Sequence, residues 1–109
     1  MTTRRMFKEK PVQGEDEVIS YYFSSTPWGT NPTNVSVVVF DITDATSKDD
    51  WQDVTTTVLP VNIPDVTDNV ITLSPLQALM DAHIYRMEVA FTVPEMGDVE
   101  AYAIVVAGE

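Results

Sequence analysis

At 109 residues, with 17 acidic against 6 basic side chains and a formal net charge of −11, the chain reads as one small domain, expected to bury about two-thirds of its extended surface on folding. It contains no cysteine, which excludes disulfides, thiolate metal sites and a thiol nucleophile. An acidic body repels nucleic acid and anionic membranes, so neither is expected as a partner of the folded part.

The charge is uneven along the chain. Arg4, Arg5, Lys8 and Lys10 against Glu9 give residues 1–10 a formal +3, whereas Lys48 and Arg86 against the other sixteen acids give the remainder −14. Residues 1–10 therefore read as a basic N-terminal arm and residues 11–109 as the folded domain. No apolar segment follows Arg4-Arg5, so an export signal is not expected, and no run reaches the roughly 20 apolar residues of a membrane helix. The arm can touch phosphate or the acidic face of a neighbouring copy, and opposite charges on one chain suit a head-to-tail contact.

In chain order, a weak apolar run "MFKEKPV" (6–12) is followed by "EVISYYFS" (17–24), "NVSVVVFDIT" (34–43), "DVTTTVL" (53–59), "NVITL" (69–73), "HIYRMEVAFTV" (83–93) and "EAYAIVVA" (100–107). Each is read as a strand, because β-branched and aromatic residues dominate and alternate with period two. The seven prolines, at 11, 27, 32, 60, 64, 75 and 94, fall at or between run ends, where a missing N–H does least harm to a ladder. A single helical turn is expected over Pro75–Ala82, with Ser74 as N-cap and Leu76, Leu79 and Met80 at helical spacing. The segment "TDATSKDDWQ" (43–52) reads as the longest polar loop. The expected inward rows are Ile19, Tyr21 and Phe23; Val35, Val37 and Val39, or their alternates; Tyr85, Met87, Val89 and Phe91; and Tyr102, Ile104 and Val106. Two runs, Val37–Phe40 and Ala101–Ala107, are apolar on both faces, so part of the outer surface is expected to be covered by another subunit.

Such a series of short strands suits an all-β sandwich of about seven antiparallel strands. The stretch from Asn69 to Val93, a strand, then a turn carrying apolar Leu79, then Tyr85 opening the next strand, resembles the tyrosine corner of immunoglobulin-like and fibronectin type III-like sandwiches, in which the tyrosine hydroxyl bonds to upstream backbone. The turn Met80-Asp81-Ala82-His83 departs from the proline, glycine and threonine that fibronectin type III turns tend to carry. The order "TPWGTNPTNVSVVVFD", "DVTTTVLP", "NVITLSPLQAL", "YRMEVAFTV" and "EAYAIVVA", over roughly residues 10–107, also resembles small virion structural proteins of tailed bacteriophages. That resemblance implies a non-enzymatic, multi-copy component of the particle, at head, neck or tail, assembled in the host cytoplasm. The implied partners are other virion proteins and further copies of the chain.

Candidate chemistry is sparse. His83 is the only histidine, and a lone imidazole needs a partner to act as base or ligand. Asp41, Asp44, Asp49, Asp50 and Asp53 crowd one strand end and its loop, and clustered oxygens suit calcium. They lack the EF-hand glycine and glutamate positions, so the expected reading is a solvated loop and no metal or other cofactor. The four glycines are too far apart for a phosphate loop, and the sequon Asn34-Val35-Ser36 is read as chance. Trp28, between Pro27 and Gly29, either lids the core or offers its ring outward. Trp51 in "KDDWQD" is the second interaction candidate. An exposed indole anchors protein interfaces or stacks on a sugar, so an adhesion or carbohydrate-binding module is the alternative to a virion component.

Overall fold

The computed structural model describes residues 10–108 and, for backbone placement alone, residues 3–5. Among the described residues nine strands, a 3-10 turn and one α-helical turn follow in order: β1 Thr3–Arg5, β2 Val12–Gln13, β3 Tyr22–Ser24, β4 Thr33–Asp41, the 3-10 turn Lys48–Asp50, β5 Gln52–Asp53, α1 Thr55–Val58, β6 Asp65–Thr67, β7 Val70–Thr72, β8 Ile84–Val93 and β9 Gly97–Ala107. They form two sheets. The larger runs β1-β9-β8-β4-β5 with β2 also on β9, and the smaller runs β3-β7-β6. This is the all-β sandwich expected.

Pairing is antiparallel throughout except at one edge. There β1 and β2 both lie parallel to β9, with Thr3 opposite Glu100 and Val12 opposite Val106. Of the weak run at 6–12, Val12 lies in a strand, and residues 6–9, Lys8 among them, lie outside the described residues. The longest pairing is the β8–β9 hairpin, from Ile84–Val106 to Val93–Gly97. Its loop, Pro94-Glu95-Met96, ends on Gly97 with φ +84°, the left-handed position where glycine carries no Cβ penalty.

Alternation along β8 is strict, with Tyr85, Met87, Val89, Phe91 and Val93 buried as expected. On β9 the inward row is the other one: Val99, Ala101, Ala103, Val105 and Ala107 are buried, and Tyr102, Ile104 and Val106 face outward. Register supplies the reason. Met87 is opposite Ala103, Val89 opposite Ala101 and Phe91 opposite Val99, so bulky inward side chains on β8 meet small ones on β9, and a row of Tyr102 and Ile104 there would overfill the core. From the other strands Phe23, Val37, Val39, Ile71 and Leu73 join the core. Val35 and Tyr21 pack against it half-buried, and Ile19 is half-buried.

Two expected elements are corrected. "DVTTTVL" is no strand beyond Asp53: it turns into α1. The Val54 N–H still donates to Val39 C=O at 3.0 Å, but the next acceptor is the Thr55 hydroxyl, which receives the Val39 N–H at 2.9 Å. A side chain thereby ends the ladder, and the turn brings the consecutive residues Val58 and Leu59 both into the core, which a strand's alternation forbids. Conversely, Pro75–Ala82 contains no helical turn. Leu76 exchanges backbone hydrogen bonds with Ile19 in both directions, and Ala78 (φ 57°) and Ala82 (φ 66°) are left-handed, incompatible with a right-handed helix.

The sheets are joined by a polar clasp. Gln13 on β2 is fully buried. Its amide N–H groups donate to Leu76 C=O at 2.7 Å and Glu17 C=O at 3.0 Å, and its carbonyl accepts the Tyr21 hydroxyl at 2.9 Å. Burial of an amide is tolerated because each of these atoms is satisfied.

Candidate interaction surface

The outward face of the large sheet divides into two halves. In one, the cross-strand rows are Phe40–Arg86–Ile104 and Val38–Glu88–Tyr102, bordered by Ile84 opposite Val106. In the other, Ser36–Ala90–Glu100 and Thr92–Asp98 make a polar and acidic surface. The alternating sequence built this face: the same period two that sends Tyr85, Met87 and Val89 inward sends Arg86 and Glu88 outward.

Trp51, at the end of the polar loop, reaches the apolar half. Its ring lies 5.6 Å from that of Phe40, and the Arg86 guanidinium sits 5.0 Å from the Trp51 ring and 4.0 Å from the Tyr102 ring. Arg86 is thus held between two aromatic faces, a cation–π arrangement, while its Nε donates to Glu88 Oε2 at 2.8 Å. Only 18% of the Arg86 side chain and 15% of the Glu88 side chain remain exposed, so this pair is shielded from solvent and screened less than a surface pair. Lys48 adds a more distant charge, 5.8 Å from the Trp51 ring.

Trp28 is elsewhere. Its ring lies 5.9 Å from Phe23 and 6.0 Å from Phe91, closing the end of the core, and its turn is held by Ser25, whose hydroxyl donates to Gly29 C=O at 2.8 Å. A Cβ on Gly29 would stand 2.7 Å from Val93 side-chain carbons, so the turn needs glycine there. The structure therefore separates the two tryptophans: Trp28 lids the core and Trp51 belongs to the outer face.

The tyrosine corner is present. The Met80 N–H donates to the Tyr85 hydroxyl oxygen at 2.9 Å, and Leu79 and Tyr85 are both buried. Beside it, His83 Nδ1 lies 2.7 Å from Asp41 Oδ2, and Asp41 Oδ1 accepts the Thr43 N–H and hydroxyl at 3.0 and 2.6 Å. Burial pushes the Asp41 carboxyl up, but these hydrogen bonds and the neighbouring imidazole outweigh it and hold the group below its ordinary value. A shallow cleft of about 230 Å³ is lined by Asp41, Thr43, Asp44, Asp50, Gln52 and His83. Like Asp41, Asp50 is engaged locally: its Oδ2 accepts the Thr46 N–H and hydroxyl, and neighbouring Asp53 does the same with Thr55. Among the described residues no group of three or more His, Cys, Asp and Glu is placed to hold a metal ion.

Of the basic arm, Arg4 and Arg5 lie in β1, opposite Ala101 and Tyr102 of β9, and Lys10 is exposed. Sequence reasoning singled out Trp51 but missed Arg86, Tyr102 and Phe40 as its neighbours, because residues 40, 51, 86 and 102 meet only through strand register. No protein-family model, curated protein or solved structure matches the chain.

Proposed function

We propose that the chain is a non-enzymatic structural component of a virus particle, present in multiple copies and acting through protein–protein contacts. The observation that carries the interaction reading is the apolar half of the outer sheet face. There Phe40, Trp51, Tyr102, Ile104 and Val106 stand together around the Arg86–Glu88 pair, with Glu100 in the next row. An apolar centre with aromatic anchors, an aromatic-stacked arginine and a charged rim has the composition of a protein contact surface. The particle setting comes from the order of the strand runs, which resembles small proteins of tailed bacteriophages.

The partners are other virion proteins and further copies of the chain, and neither nucleic acid nor membrane suits a body of this charge. Light scattering tests the multi-copy reading. The purified protein is expected as a discrete oligomer, and Ile104→Glu, which places a charge in the apolar half, is expected to lower its mass with an unchanged circular-dichroism spectrum. A wild-type protein that is monomeric at every concentration, and that particles purified from the source cell do not retain, overturns the reading.

A further inference from the structure

The seat of the basic arm carries a consequence for how copies connect. β1 and β2 share the same edge of β9, but they are not one strand. From Thr3 to Val12 the chain advances nine residues while its partner advances six, from Glu100 to Val106, so three residues are surplus between the two pairings. β2 is anchored independently of β1. Gln13 is buried and hydrogen-bonded on three sides, the Val106 N–H donates to Pro11 C=O, and the Gly108 N–H donates to Gln13 C=O. The sandwich is therefore closed from Pro11 onward, and β1 is an appended three-residue strand.

Charge favours that appended strand on any copy's edge. Residues 1–10 carry +3 in a chain whose remainder carries −14, and the seat on β9 is Glu100–Tyr102 with Asp98 two residues before it. The backbone bonds of β1 are the same whether the acceptor is its own β9 or a second copy's, which makes exchange of such an element a low-cost route to association. Six residues, 6–11, separate Arg5 from Val12, and a spacer of that length reaches at most about 20 Å.

We infer that β1 is a donated strand: Thr3–Arg5 of one copy pairs in parallel with Glu100–Tyr102 of the next, linking copies head to tail. This rests on the multi-copy reading and names its linkage.

Because the chain has no cysteine, two introduced thiols report on it without background. Thr3 and Glu100 are register partners, and adjacent strands about 4.8 Å apart fall within the Cα separation a disulfide spans. Single variants Thr3→Cys and Glu100→Cys are mixed in equal amounts and oxidised. The expected product is the mixed covalent dimer, at more than tenfold the yield of either variant oxidised alone, and falling on addition of salt. The double variant is expected to give a ladder of covalent oligomers. A mixture that stays uncrosslinked overturns the donated strand, as does a double variant that closes only within one chain. If the wild-type protein is nonetheless a discrete oligomer by light scattering, and remains one after removal of residues 1–10, donation fails while the multi-copy reading survives. A wild-type monomer with no mixed dimer overturns both.

Discussion

The two sheets reach one core by different means. β8 and β9 are ten and eleven residues long and pair over their whole length, so their backbone groups are satisfied by a continuous ladder. Strands β3, β6 and β7 are three residues each, and the small sheet is completed by isolated bonds. The Ser25 N–H donates to Asn69 C=O, the Leu73 N–H to Tyr21 C=O, the Ile63 N–H to the Ser74 hydroxyl and the Asn31 N–H to Asn69 Oδ1. Both sheets nevertheless supply residues buried almost completely, Val89 from one and Ile71 from the other. Burial alone therefore does not rank them. The small sheet, with fewer ladder bonds, is expected to open locally at lower free energy, which amide exchange would detect as weaker protection in β3 and β7 than in β8 and β9.

The largest expected effect breaks the contrast. Phe91, on the large sheet, lies 6.0 Å from both Phe23 on the small sheet and Trp28, so Phe91→Ala removes packing from both layers and is expected to cost about 3–5 kcal/mol in urea unfolding. Next, Gln13→Leu keeps most of the bulk but removes the bonds that the Glu17 C=O and the Tyr21 hydroxyl make with Gln13, at an expected total of about 1–3 kcal/mol. It sharpens the contrast, because exchange should rise in β3 before it rises in β8. Tyr85→Phe removes only the acceptor of the Met80 N–H and is expected to cost about 1 kcal/mol, with protection lost locally around Met80.

The smallest effect is pH-dependent. Asp41 on β4 has its carboxyl held below its ordinary value in the folded protein, so its contribution is present above the unfolded-state value of about 3.9 and is lost as pH falls through the folded one. Asp41→Asn is expected to lower the urea midpoint near neutrality and to converge with the wild type in acid. A variant displaced equally at every pH would exclude the linkage.

The long strands were legible because nothing competes with period two across Tyr85–Val93. The parity of β9 was not, since Ala101–Ala107 is apolar in both rows and the choice depends on volumes across the register. Identical tripeptides show the same limit. Asp53-Val54-Thr55 leads into α1, whereas Asp65-Val66-Thr67 is β6. The first is diverted where Thr55 takes the Val39 N–H; the second pairs with β7 across a turn at Asp68, φ 54°. The tyrosine corner could be read because its tyrosine and its turn are neighbours in sequence. Gln13 could not, because a lone amide in a weak apolar run gives no sign of its partner Leu76, 63 residues away.

That separation has a kinetic meaning. A contact between Gln13 and Leu76 closes a long loop, whose entropy must be overcome before the contact is rewarded, whereas the β8–β9 hairpin forms from neighbouring sequence. The clasp is therefore expected to shut after the rate-limiting barrier. Interactions made that late slow unfolding and leave the folding rate nearly unchanged. In stopped-flow refolding Gln13→Leu should move only the unfolding arm, so the buried amide sets the lifetime of a folded copy.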